Sequence, residues 1–288
     1  MNYSEFILES RRYFSEDFCK EGQQYRDDLL SIMDAFHMVC VKREIDYYMG
    51  FGTLLGAIRD GGLIPWDFDM DLLVKYSDRE MLWQALTDLL PDGFDFICKE
   101  KDATFEHFDM RIVKKGVHHR ILHVDVFYLV DAPDDRESFV KYSKKLIKLA
   151  NIRHCKLTKP LGFDGKTIRS KILLNKIKYM FVPMFYLNKV HARLCNKYVG
   201  KGTSSYFRTC ISYRGTKYIY PKDWFSGKEL IPFENRYYFA PLHAQDFLQM
   251  FYKNPMQYPD IETRFIELYN RIQQMRLYKK HNLYETEE

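Results

Sequence analysis

The sequence predicts a mixed α/β (α+β) fold, with a mixed β-sheet core flanked by helices and a helical, basic C-terminal elaboration. Three observations carry this reading. Strand-like and helix-like stretches alternate over the first half of the chain, and helical patterns dominate after Pro133. Of the 288 residues, 46% are apolar, enough to pack a substantial core and to exclude a disordered chain. The sign of the charge also changes along the chain. Residues 1–100 carry 10 basic and 20 acidic side chains, and the remainder carries 34 and 19.

In chain order, residues 22–43 have helical periodicity, with Leu29, Leu30, Ile32, Met33, Phe36, Val39 and Cys40 on one face. Residues 45–51 read as a short strand. Residues 53–60 read as a short helix with Thr53 as its N-cap and Gly61 just past its end. Pro65 marks a break, residues 68–74 read as a strand, and residues 79–90 are amphipathic and close before Pro91. Strands are expected at 94–99, 105–114 and 120–130, with a helix after Pro133. The basic zone 169–201 reads as largely helical, 236–240 as a strand and 242–252 as a helix.

From Lys141 to Lys222 there are 20 Lys or Arg side chains and one acid, Asp164. Such a run is a solvated face or a surface for an anionic partner: phosphates, an anionic membrane or nucleic acid. No DNA- or RNA-binding motif accompanies it, so no specific nucleic acid is expected. The six cysteines are scattered, without C-x-x-C or Cys/His spacing, which excludes a zinc site of that kind. The opening MNYSEFILESRRYF has no signal-like apolar run, so a cytoplasmic protein with reduced thiols is expected. No apolar stretch reaches the roughly 20 residues of a spanning helix. The stretch 179–187 is too short for that and is flanked by lysines. It suits a helix lying at the inner face of a membrane, or a buried one.

The chemistry concentrates in FGTLLGAIRDGGLIPWDFDMDLLV, residues 51–74. On a strand, Asp67, Asp69 and Asp71 share one face and Phe68, Met70 and Leu72 the other. Carboxylates about 6–7 Å apart repel by roughly 2–3 kcal/mol per pair at an effective dielectric of 20. The cluster therefore needs solvent, arginines or a cation. Oxygen ligands favour Mg²⁺ or Mn²⁺ over zinc. Asp125 is out of place in the apolar run ILHVDVFYLV. It is either a third ligand from a neighbouring strand or an acid satisfied by a backbone amide or by Arg111. Gly52 and Thr53 open a helix whose first amides would suit phosphate, although Thr53 reads equally well as an ordinary cap. Arg59, Arg111 and Arg120 are candidate phosphate clamps or surface residues. His118, His119 and His123 invite a general-base role, but a lone His on a strand is more often a packed, hydrogen-bonded residue, and they are not counted among the site residues.

A Gly-Thr turn followed by alternating acids resembles the nucleotidyltransferase superfamily. The stretch GTLLGAIRDGGLIPWDFDMDLLV is similar to the signature of the LicD family, GTLLGAxRxxxxIPWDxDxD. The run HVDVFYLV and the later block YPKDWF…ELIPFENRYYFAPLHAQDFLQMFYKNPMQYP extend the resemblance. Many relatives carry Asp where Phe68 stands, and the usual Tyr-Gly element is altered at Lys253 and Asn254. The resemblance implies a nucleotidyltransferase-like catalytic domain at 24–260, with a core at 24–135, a basic helical region at 136–222 and a C-terminal block at 223–260. An extension (1–23) and a helical tail (261–288) flank it.

The resemblance further implies transfer of a substituted phosphate, such as phosphocholine, from a CDP-activated alcohol to a glycan hydroxyl, on a polysaccharide, lipopolysaccharide or lipid-linked acceptor. Asp69, Asp71 and Asp125 would hold the metal, with Asp125 helping to deprotonate the acceptor and Asp67 as a further or alternative ligand. Gly52, Thr53, Arg59, Arg111 and Arg120 would contact substrate. The rival expectations are NMP transfer from an NTP, a metal-dependent glycosyltransferase, and a non-catalytic scaffold of a membrane glycan-assembly complex.

Overall fold

The computed structural model describes residues 3–160, 168–200, 204–209 and 218–280. Cys210, Asp164 and residues 281–288 of the expected tail lie outside them.

The chain begins with helix α1 (Tyr3–Ser10) and helix α2 (Glu16–Lys42). The second starts earlier than its apolar periodicity predicts. Ser15 caps it by accepting from the Phe18 amide at 3.3 Å, and Glu16 and Asp17 complement the dipole of its first turn. Strand β1 (Tyr47–Met49) is shorter than expected. Glu44 turns the chain in with a φ of 53°, and Gly50 begins helix α3 (Phe51–Arg59). The cap of α3 is therefore Gly50, and Thr53 lies inside the first turn. Next come strand β2 (Asp71–Lys75), helix α4 (Arg79–Leu89), strands β3 (Phe94–Ile97), β4 (Met110–Lys114) and β5 (His123–Ala132), and helix α5 (Arg136–Leu157).

The sheet runs β1-β2-β5-β4-β3, with β2 and β5 parallel and the other pairs antiparallel. It is thus a mixed sheet with helices, as expected. The first two acids of the cluster are not on a strand. The partner strand ends at Met49, opposite Leu72, and turns away into α3, so residues 67–70 have no β1 ladder to join. The alternation survives nonetheless. Phe68, Met70 and Leu72 are buried, while Asp67 and Asp69 remain partly exposed.

The C-terminal half is less purely helical than predicted. Helices α6 (Ser170–Lys178) and α7 (Met184–Cys195) stand where the basic zone was read as helical, broken at Pro183 within the stretch 179–187. Strands β6 (Tyr206–Thr209) and β7 (Tyr220–Pro221) then return to the sheet, β6 pairing with β5. A hairpin follows from β8 (Lys228–Phe233) and β9 (Arg236–Pro241). Strand β8 gave little signal: Pro232 interrupts its run and its side chains are mostly exposed. Helices α8 (Ala244–Phe251) and α9 (Ile261–Lys280) complete the chain.

Two cores result. The larger runs through α2, the sheet, the hairpin and α9, where Leu268, Ile272 and Met275 are buried. A smaller one, built on Phe108, Ile152 and Leu187, joins α5 to α7. Arg153 is fully buried beside it and donates to the carbonyls of Ala103, Phe105 and His107 and to Asn188 Oδ1. These bonds hold residues 103–107 in an irregular path, which explains why β4 begins only at Met110.

One tie fixes the loop ahead of the acids. Arg26 on α2 is 3% exposed. It donates to the carbonyls of Leu63 and Ile64 and pairs with Glu234 at 2.6 Å. Glu234, in the hairpin turn at a φ of 55°, donates its amide to Gly61. Gly56 lets α3 press onto the same loop, since a Cβ there would stand 2.3 Å from the Gly62 carbonyl oxygen. Replacing Glu234 by Ala leaves the Arg26 guanidinium buried without its carboxylate. The expected loss of stability is about 3 kcal/mol by urea unfolding, largely regained when Arg26→Met is added.

Candidate active site

The site forms where α3 meets the edge of β2. Strand β1 runs into the helix through Gly50 and Phe51, and Phe51 takes a φ of 46°, a left-handed backbone rare for a bulky residue. Packing holds it there, because its fully buried ring lies against Phe127, Phe247 and Phe251. The sharp turn directs the first turn of α3 at the acids. A Cβ on Gly52 would stand 3.2 Å from Asp67 Oδ2, so glycine allows the backbone to approach that carboxylate closely. Thr53 Oγ1 accepts from the Asp71 amide at 2.7 Å, and the Gly50 amide donates to the Asp71 carbonyl at 2.9 Å. The Thr53 hydroxyl thus anchors the backbone of an acid. The leading amides of α3 have no acceptor within the helix and are the groups available to phosphate.

Asp71 and Asp125 face each other in register on the parallel pair β2 and β5. Arg111, opposite Asp125 on β4, donates from Nε to Asp125 Oδ1 at 2.7 Å, and His123 Nε2 stands 3.4 Å from Oδ2. Burial opposes ionisation of Asp125, but Arg111 and then His123 outweigh it and hold the carboxyl well below the usual range. The Arg111 partner expected for Asp125 is thus in place, beside its expected place among the ligands.

Asp67 and Asp69 lie on the approach to β2. Burial, then the charge of Asp69, push the Asp67 carboxyl well above its ordinary range. Arg271 of α9 offsets this charge, with Nη2 2.6 Å from Asp69 Oδ2 and 3.9 Å from Asp67 Oδ1. No sequence signal points to Arg271, which lies 202 residues from Asp69 on a helix beyond the family resemblance. Tyr25 was missed too. It packs edge-on against Phe68 at 5.4 Å and donates its hydroxyl to the Ile121 carbonyl.

Of the three arginines expected to clamp phosphate, only Arg111 joins the acids. Arg59 pairs with Asp60 at 2.8 Å and lies over the Tyr258 ring, whose hydroxyl also donates to Asp60. Arg120 pairs with Glu106 at 2.7 Å. His119 and His107 are pushed down, to about 2 and about 3, by burial and then by Arg111, so both are neutral packing groups. His123 is pushed down by the same two causes.

The oxygen-only donor set suits a hard divalent cation. The backbone already aligns Asp71 with Asp125, and the strained pair Asp67 and Asp69 would be relieved by positive charge. As the side chains stand, no group of three His, Cys, Asp or Glu residues converges as a metal cluster among the described residues. Asp69 is turned to Arg271 and Asp125 to Arg111, so a cation would have to share or replace those guanidinium partners.

Comparison with known proteins bears on the same segment. Residues 44–148 match the family model described as LicD/FKTN/FKRP, nucleotidyltransferase domain. The lipopolysaccharide cholinephosphotransferase LicD of Haemophilus influenzae is 26% identical over 251 residues, covering 82% of this chain and 91% of the relative. An uncharacterised protein of Rickettsia prowazekii is 40% identical over 66 residues, covering 23% of this chain and 25% of the relative. One from Rickettsia typhi is 35% identical over 66 residues, covering 23% and 21%.

Two predictions follow from the electrostatics. Arg271→Ala should lower stability in EDTA by about 1 kcal/mol, since the pair is partly exposed. Saturating Mg²⁺ should restore the melting temperature. If Mg²⁺ stabilises neither the variant nor the parent, the acids do not take up the ion. The second concerns Asp109, whose carboxyl is raised to about 7 by burial, countered by its bond from the Tyr128 amide and reinforced by Asp125. An acid raised on folding stabilises the protein below its unfolded value, and that contribution is lost as pH rises through the folded value. Between pH 4 and 8 the parent should therefore lose stability relative to Asp109→Asn, as read by thermal melts across that window.

Proposed function

We propose that this chain, which carries a LicD-family nucleotidyltransferase domain, transfers a substituted phosphate of the phosphocholine type from a CDP-activated alcohol to a glycan hydroxyl. The observation that carries this reading is the alignment of Asp71 with Asp125 directly beside the first turn of α3. That alignment sits inside the segment that matches the family. The Haemophilus relative, named as a cholinephosphotransferase acting on lipopolysaccharide, supports the choice of donor and acceptor class.

In this reading the amides of Gly52 and Thr53 hold a donor phosphate, and Thr53 keeps Asp71 in place through its backbone. Asp69, Asp71 and Asp125 would hold Mg²⁺ or Mn²⁺, which supplies neutralisation of charge on the pyrophosphate. Arg111 fixes the orientation of Asp125. Arg111 and then His123 hold the Asp125 carboxyl low, which suits ion binding, and its help in deprotonating the acceptor hydroxyl is part of the same reading. The acceptor hydroxyl gives up its proton through Asp125 to water as its oxygen bonds to the phosphorus that carries the alcohol, the bond from that phosphorus to the bridging oxygen breaks, and CMP departs with the bridging oxygen.

We place the reaction in the cytoplasm, in keeping with free Cys19, Cys40, Cys98, Cys155 and Cys195. Among the described residues no helix is long and apolar enough to cross a membrane.

Incubation with Mg²⁺, CDP-choline or other CDP-alcohols and a glycan acceptor should release CMP. Asp69→Ala with Asp71→Ala should lower turnover by at least about 1000-fold while the melting temperature in EDTA holds or rises. Release of pyrophosphate from an NTP would indicate nucleotidyl transfer. Full activity in the double variant would overturn the assignment of the acids.

A further inference from the structure

Exposed apolar side chains crowd the segment that joins α6 to α7. Leu174 and Ile177 on the outer face of α6, Met180 and Phe181 in the following turn, and Phe185 and Tyr186 at the start of α7 are each more than half exposed. Phe181 reaches 86% and Phe185 74%. A contiguous apolar patch of this kind marks an interaction surface, whereas single exposed apolar residues do not.

The patch rests on packed side chains and hydrogen bonds. Beneath it, Tyr179, Val182 and Met184 pack on the small core of Phe108, Ile152 and Leu187. Lys156 of α5 donates to the carbonyls of Tyr179 at 2.8 Å and Met180 at 3.0 Å, pinning the turn that carries Phe181. Phe108 stacks on His191 of α7 with ring centroids 3.6 Å apart. The turn is thus a fixed projection with aromatic side chains at its tip.

Its surroundings are basic. Lys171, Lys178, Lys189 and Arg193 are exposed, and residues 168–200 contain no acid. On α7, Phe185, Lys189 and Arg193 recur every four residues, forming one stripe with an aromatic end and a cationic end. Two copies meeting through this face would bring like charges together, which disfavours self-association. Apolar tips framed by lysines fit the boundary between anionic lipid headgroups and acyl chains.

We propose that the α6–α7 turn docks this protein onto bilayers that carry anionic lipids, with Phe181 and Phe185 entering the headgroup–acyl boundary and the surrounding lysines meeting the headgroups. The broad basic run read from the sequence thereby narrows to one turn and its rim. Docking does not depend on the transfer reaction, so the two readings fail separately.

Flotation with vesicles of phosphatidylcholine alone, or mixed with phosphatidylglycerol, tests it. The parent should float with the mixed vesicles and release at high salt. Phe181→Asp with Phe185→Asp should weaken binding at least about tenfold. Lys171→Glu with Lys189→Glu should abolish the preference for phosphatidylglycerol. Both variants should keep the parent's melting temperature and its response to Mg²⁺ and nucleotide. If the aromatic variant melts lower, the lysine variant alone decides. Failure of the parent to bind mixed vesicles overturns the proposal, as does unchanged binding by the deciding variant. A parent dimer in light scattering that the aromatic variant dissociates would make a second copy the occupant and would overturn it too.

Discussion

Carboxylates set side by side at one end of a sheet persist only if charge from elsewhere meets theirs. Asp71 and Asp125 are opposed on parallel strands, and Asp67 and Asp69 crowd the approach. Arg111 answers Asp125 from the next strand, and Arg271 answers Asp69 from a helix near the far end of the chain. The first turn of α3 supplies amides and the hydroxyl of Thr53. Each of these lies on a different element, so the fold is organised around bringing them to one end of the central strands. The left-handed Phe51, the glycine at position 52 and the Arg26–Glu234 tie all belong to that arrangement.

Much of this was legible in the sequence because it is local. Alternation fixes which residues of 67–72 turn inward, whether or not a ladder forms, and Phe68, Met70 and Leu72 are buried accordingly. An acid in an apolar strand needs a cationic partner, and Arg111 was named as one. The boundaries were less legible. The apolar period of α2 starts inside the helix, while its cap and acidic first turn lie further upstream. Thr53 looked like a cap because it follows a glycine, but the turn at Gly50 and Phe51 begins the helix sooner. Charged side chains were the least legible, because their partners are set by tertiary contact. Arg59 stacks under Tyr258, and Arg271 reaches the acids from α9.

The C-terminal half has two physical roles. Strands β6 and β7 extend the sheet, the hairpin turn clasps the loop after α3, and α9 lies against α2. The α5–α7 unit packs around its own small core and presents a different, cationic and apolar surface. The acidic first third and the basic remainder of the sequence thus correspond to the clustered aspartates and the lysine-rich face of α6 and α7.

The segment that matches the family, residues 44–148, contains the acids with Thr53 and Arg111, but not the charges that steady Asp69 and the loop ahead of it. Arg26 lies before it, and Glu234 and Arg271 lie well after it. A ribosome emitting this chain therefore exposes the four aspartates long before the hairpin and last helix exist to clasp them. The cluster is completed last, when Arg271 is brought to it by the end of the polypeptide. A chain released early would carry the recognisable signature without a finished site.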